Sequence, residues 1–252
     1  MRGVRPVLWC LAALVATAAP AFAQDQDGSN LQRSLGYEYQ RKINDRLRGF
    51  GTLIYEELYD ADRLFGAENQ LKTTGGVSYD LKKRIRLEAG LGLYYTYQPD
   101  RHDTFETRLW QSATFDWPDS PGLVRRYVLH HRFRLEERFK NTTDWSFAAR
   151  FRYRLSFKFP INKYTLEPGG FYVPLKAEFY IPLGSEIQEF YAQQARYSAG
   201  IGYVFNKQWT LELRYARQQL RNTIDESLQP TNQFIELRLK SSFRIVDLMK
   251  SR

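Results

Sequence analysis

The segment RFRYRLSFKF, residues 150–159, alternates without interruption. Arg150, Arg152, Arg154, Ser156 and Lys158 occupy one phase, and Phe151, Tyr153, Leu155, Phe157 and Phe159 the other. A helix would spread both sets around its circumference, whereas a strand sends them to opposite faces. The segment therefore reads as a strand with cations on one side and large apolar groups on the other. Few environments accept both faces at once, and that requirement constrains the rest of the chain.

The same period recurs along the sequence. Apolar residues take alternate positions over 35–43, 71–81, 85–97, 105–117, 127–139, 145–159, 171–181, 197–205, 209–215 and 235–243. A weaker segment, 46–58, places Leu47, Leu53 and Tyr55 in one phase and Phe50, Ile54 and Leu58 in the other. Gly49 and Gly51 point to a bulge there. These segments run to about 10 to 15 residues, the length of a tilted strand that crosses a membrane, and exceed the roughly five or six usual in soluble sheets. Asn44-Asp45, Lys82-Lys83-Arg84 and Asn206-Lys207 read as tight turns, while 60–69, 98–104 and 221–230 read as longer polar loops. Short turns at one end and longer loops at the other is the arrangement of an outer-membrane barrel. Eleven segments are visible, but single-chain bacterial barrels carry an even number. The expectation is an all-β, antiparallel transmembrane barrel of about 12 strands (10–12), with both termini in the periplasm. The missing strand is sought at 164–172 or 188–196.

The two faces decide between a soluble sandwich and a membrane barrel. The apolar phase gathers aromatics near segment ends, including Tyr37, Tyr95, Tyr97, Trp117, Trp145, Phe159, Phe205 and Trp209, as interfacial girdles do. Arginine facing lipid at mid-depth costs about 2–4 kcal/mol, so the basic phase belongs inside. On that assignment Arg132, Arg134, Glu136 and Arg138 from one strand and Arg150, Arg152, Arg154 and Lys158 from the next point into a lumen. Carboxylates available to meet them include Glu38, Glu56, Glu88, Glu106, Glu178, Glu212 and Glu236. Cations outnumber carboxylates on this face, and the surplus sits mostly on those two strands. The result is either a packed ion network that stiffens the barrel or a basic stripe along a pore that favours anions.

The chain begins MRGVRPVLWCLAALVATAAPAFAQ, with basic residues, a short apolar run and an Ala21-Phe22-Ala23 cleavage site. Residues 1–23 read as a secretory signal peptide and 24–252 as the barrel. Removing Arg2 and Arg5 lowers the formal charge from +9 to +7, and the single cysteine, Cys10, leaves with them. The exported chain then has no thiol for a disulfide, a nucleophile or a metal.

At LHHRFRLEERF followed by RFRYRL the chain resembles the outer-membrane barrels called domain of unknown function 2490. The likeness is carried by residues 131–139, by Arg152-Tyr153-Arg154-Leu155, by Glu178-Phe179, by Gln194-Ala195-Arg196 with Gly200 and Gly202, and by Leu211-Glu212 with Tyr215 and Gln218. That family usually has Gln-Asn-Arg where this chain has Gln194-Ala195-Arg196. The resemblance implies an outer-membrane barrel and brings no activity or catalytic residues.

Other chemistry finds little support. His102, His130 and His131 are the only histidines, with no serine beside any of them in sequence and no His or Cys pair at ligand spacing. No catalytic, cofactor or metal residue is assigned. A basic, aromatic-rich chain could bind nucleic acid, but export separates it from that partner. The expected setting is the Gram-negative outer membrane. Expected partners are its lipid, lipopolysaccharide phosphates and the machinery that inserts barrels. The expected role is structural, or that of a small anion-favouring channel. A lipid- or lipopolysaccharide-modifying enzyme is the alternative.

Overall fold

The computed structural model describes residues 30–58, 68–99, 102–117, 129–183, 194–221 and 228–244. The expected signal peptide lies outside them. The strands are β1 (Asn30–Lys42), β2 (Leu47–Leu58), β3 (Asn69–Lys82), β4 (Ile85–Tyr97), β5 (Thr104–Trp117), β6 (Leu129–Asn141), β7 (Trp145–Pro160), β8 (Phe171–Leu183), β9 (Gln194–Val204), β10 (Trp209–Arg221) and β11 (Leu228–Arg244). Each pairs with the next, and β1 pairs with β11, so the sheet closes into a barrel. Closure removes every sheet edge.

The described residues form an eleven-stranded barrel, within the expected 10–12 and one short of twelve; of the two places where a further strand was sought, 188–193 lies outside the described residues. Each period-two segment of the sequence became one strand, and residues 161–170 form a connection rather than a further strand. In an up-and-down meander an odd count brings the first and last strands in the same direction. β1 and β11 accordingly pair in parallel, from Leu31 opposite Gln233 to Arg41 opposite Phe243. This overturns the expectation of both termini on one side. β1 enters at one end of the barrel and β11 leaves at the other.

Connections follow the expected asymmetry only in part. Three tight turns share one end, at 43–46, 83–84 and 205–208. Two use the same device: Asn44 Oδ1 accepts the amides of Arg46 at 2.9 Å and Leu47 at 2.7 Å, and Asn206 Oδ1 accepts those of Gln208 at 2.8 Å and Trp209 at 2.9 Å. A short asparagine side chain thereby closes the hairpin locally. The same end also carries the longer 161–170 loop, and the opposite end carries the short 142–144 turn. β11 begins at Leu228, so the loop expected over 221–230 is shorter than its composition implied.

The weak segment is a regular strand. β2 pairs with β1 and β3 without a register shift. Its phases mixed because Phe50 and Ile54 point inward, where Phe50 packs 5.7 Å from Trp110. Gly76 and Gly90 leave room for those two rings, since a Cβ at either would collide with them. Register shifts occur instead at Asp80/Lys82 and Gln218/Gln219.

The register holds even-numbered residues on one face around the ring. Outward residues are apolar and exposed: Leu53 is 49% exposed and Ile201 47%. Inward carboxylates are hidden: Glu136 is 2% exposed and Glu178 1%. The outward-facing strand charges are few: Arg33, Arg41 and Glu57 lie within three residues of a strand end, and Glu137 and Arg217 lie four residues in. Between them runs an apolar belt bounded by aromatic clusters such as Tyr37–Trp209 and Phe171–Tyr203 at one end and Phe139–Phe147 at the other.

The parallel seam is testable with introduced thiols. Leu35 lies opposite Leu237, so the Leu35→Cys/Leu237→Cys double variant should form an intramolecular disulfide, read as a reducing-agent-sensitive shift on a denaturing gel. A strand between β1 and β11 would hold the pair about 10 Å apart, and no crosslink would form.

Candidate functional site

The candidate site is the interior of the barrel. Period two and closure together send the charged phase of every strand inward, where a cavity of about 670 Å³ is lined by residues from all around the ring. Its wall is organised by buried carboxylates, each shared by several cations.

Glu136 on β6 accepts Arg150 Nη2 at 2.5 Å and Arg152 Nη1 at 3.2 Å. Glu178 on β8 accepts Arg152 Nη2 at 2.6 Å and also binds Arg154. Lys176 approaches it at 3.6 Å. Glu236 on β11 holds Arg196 and, at 3.0 Å, Arg214. Glu212 on β10 accepts the Tyr172 hydroxyl at 2.6 Å and Lys240 at 3.0 Å, with Lys158 at 3.5 Å. Glu106 on β5 takes two guanidinium forks, with Arg108 Nε at 2.6 Å and Arg138 Nε at 2.5 Å. Arg132 binds Glu88, and its Nε donates to Ser112 at 3.3 Å.

Forked, charge-assisted bonds are the strong kind. A carboxylate removed from water is tolerable only with such partners. Aromatic rings add a further layer. The guanidinium of Arg134 lies 3.8 Å from the Trp110 ring centre, Arg108 lies 3.7 Å from that of Tyr94, and Arg196 lies 3.8 Å from that of Phe234. Cations stacked this way keep favourable contacts while their edges stay free for other partners.

The described residues named for the lumen on sequence grounds face inward. Arg132, Arg134, Arg150, Arg152, Arg154, Lys158, Glu178, Glu212 and Glu236 line the cavity. Glu136 and Arg138 share the inward phase, bonded to Arg150 and Glu106. Arg126, which shares their even phase just before β6, lies outside the described residues. The network extends further than that set, to Arg108, Arg196, Arg214, Arg238, Lys176 and Lys240, with Trp110, Tyr172 and Tyr180. Their even numbering carried the signal, because parity alone places them on the inner face.

The histidines fall into different settings. His131 faces outward, with Nδ1 2.8 Å from the Tyr153 hydroxyl. His130 faces inward near one end, with Nδ1 2.6 Å from Asp116 Oδ1. Ser156 stands opposite His130 in the β6/β7 register, a neighbour that sequence separation hid. Among the described residues no group of three His, Cys, Asp or Glu side chains offers a metal site.

Removing one shared carboxylate is the sharpest probe of the network. Glu178→Gln would leave Arg152, Arg154 and Lys176 buried with one fewer counter-charge. It should destabilise the refolded barrel by about 3–5 kcal/mol, read from urea unfolding. Asp80→Gln, at the half-exposed Arg48 and Arg86 pair near a strand end, should cost about 1 kcal/mol or less.

Comparison with family models matches residues 31–229 to the family described as protein of unknown function (DUF2490). The match spans β1 to the start of β11. Comparison with curated proteins gives no match. The chain belongs to that family of unknown function.

Proposed function

We propose that this DUF2490 barrel resides in the Gram-negative outer membrane and passes small anions through its basic lumen. One observation carries the reading: the barrel is inverted relative to a soluble protein, with carboxylates and guanidiniums buried inside and apolar side chains exposed outside. Lipid accepts such an outer face, and only a closed barrel or a helix satisfies its backbone there. The aromatic rings at both rims and the sparseness of outward charges suit a lipid-facing wall. Lipid and lipopolysaccharide phosphates are then the neighbours of the rim cations, and insertion machinery is the partner during assembly. No nucleic acid is involved. The surplus of lumen cations over carboxylates favours anions over cations.

The test is the conductance of the refolded protein in a planar bilayer under a salt gradient. The expected result is a small steady conductance with a reversal potential on the anion side, weakened in Arg152→Glu. An inserted but silent barrel would reduce the role to a structural one.

A second reading, a lipid-modifying enzyme, rests on one row of the register. Asp116, His130 and Ser156 are direct neighbours across β5, β6 and β7. Asp116 bonds His130, and Ser156 is its register partner on the strand at its other side, the order of a nucleophile, a base and an orienting acid. A fluorophosphonate should label Ser156 in the folded barrel on this reading, and His130→Ala should abolish the label. Absence of labelling removes the enzyme.

A further inference from the structure

Resting on the reading of the lumen as an anion path, we propose that four arginines at mid-height form a saturable site for a phosphate group. Arg132 stands opposite Arg154, and Arg134 opposite Arg152, in the β6/β7 register. Like charges directly across a strand pair repel, so each pair needs a bridging anion. The protein supplies too few. Glu88 serves Arg132. Glu178 is divided between Arg152 and Arg154, and Glu136 is occupied by Arg150 and Arg152.

Arg134 is the member left over. Its nearest carboxylate oxygen, on Glu136, is 3.6 Å away, beyond hydrogen-bond distance. Its Nε is buried without a partner. Its position is nonetheless fixed, because the guanidinium lies 3.8 Å from the Trp110 ring centre. Arg132 approaches the same ring at 5.8 Å. A stacked, under-bonded guanidinium is pre-oriented for a ligand, since its fork is ordered before the ligand arrives. All four arginines line the cavity.

The ligand chemistry follows from the geometry. Side chains opposite each other on adjacent strands start about 5 Å apart at Cβ. A tetrahedral oxyanion placed between two such forks offers separate oxygens to each, and its double charge offsets the repulsion of both rows. Chloride offers one centre and a single charge. Phosphate, free or as the monoester of a small solute, is therefore the class that fits.

The experiment titrates inorganic phosphate into the refolded chain in detergent micelles at low ionic strength. It is read by calorimetry and by the melting midpoint, with chloride as control. Phosphate should give saturable heat and raise the midpoint, and chloride at equal ionic strength should do neither. Arg134→Gln should weaken phosphate binding about tenfold or more. The same variant should raise the midpoint of the phosphate-free barrel, because it removes a repelling charge. No saturable heat, or a lower phosphate-free midpoint in Arg134→Gln, would overturn the site and return Arg134 to the structural network. Glycerol phosphate in a parallel titration distinguishes the sources: binding as tight as phosphate points to monoesters, and weaker binding points to the free ion. Failure of the channel reading is separable. Phosphate binding in micelles with a silent bilayer retains the site without the path, and conductance that phosphate does not block retains the path without the site.

Discussion

The structure depends on carboxylates buried among guanidiniums inside a closed sheet. A single ion taken out of water costs several kcal/mol, and Coulomb attraction offsets this only when geometry and hydrogen bonds are good. Glu136, Glu178, Glu212 and Glu236 meet that condition by each touching two or more cations from other strands. The contacts cross strand boundaries, so they fasten β6 to β7, β7 to β8 and β10 to β11. The pairing is incomplete on the basic side. Cations left short of partners give the lumen its sign and give the Arg134 region a reason to bind something.

Closure is the second constraint, and it follows from the chain's own count. Ten antiparallel steps lead from β1 to β11 and leave the two strands pointing the same way, so the seam is parallel. Parallel pairing is slightly weaker per residue. Here it is reinforced by side chains across it: Arg238 Nη2 donates to Ser34 Oγ at 2.9 Å, Lys240 reaches Glu38 at 3.2 Å, and the Tyr37 hydroxyl meets Ser241 Oγ at 2.6 Å. Gly36 leaves the space that the Arg238 side chain occupies. The seam is therefore tied by the same charges that fill the lumen.

Much of this architecture was legible in the sequence because period two acts locally. Each segment announced itself, and the phase of Arg150, Arg152 and Arg154 already separated inside from outside. The eleven strands fall within the expected 10–12, and the eleven visible segments marked them one for one, whereas the rule of even counts points to twelve. The irregularity at 46–58 was not a bulge but two inward apolar residues, Phe50 packed on Trp110 and Ile54 lining the cavity, which no rule of polar-in and apolar-out anticipates. The partners within the site were illegible for a different reason. Glu178 meets Arg154, and Ser156 meets His130, through registers set by turn lengths, and sequence distance does not encode them. Even parity marked Arg196, Arg214 and Arg238 as inward, yet only closure shows that they converge on Glu236.

The central claim is that odd positions meet lipid and even positions meet an aqueous interior. The most direct measurement is a nitroxide scan of β7, residues 146–158, in the refolded protein in liposomes, with accessibility to oxygen and to a polar nickel chelate recorded at each site. The account predicts oxygen maxima at Phe147, Phe151, Leu155 and the other odd positions. Oxygen minima should fall at Arg150, Arg152 and Arg154, and the period of two should persist across the strand. Equal exposure of both phases to the polar chelate, or oxygen maxima on the even phase, would contradict it.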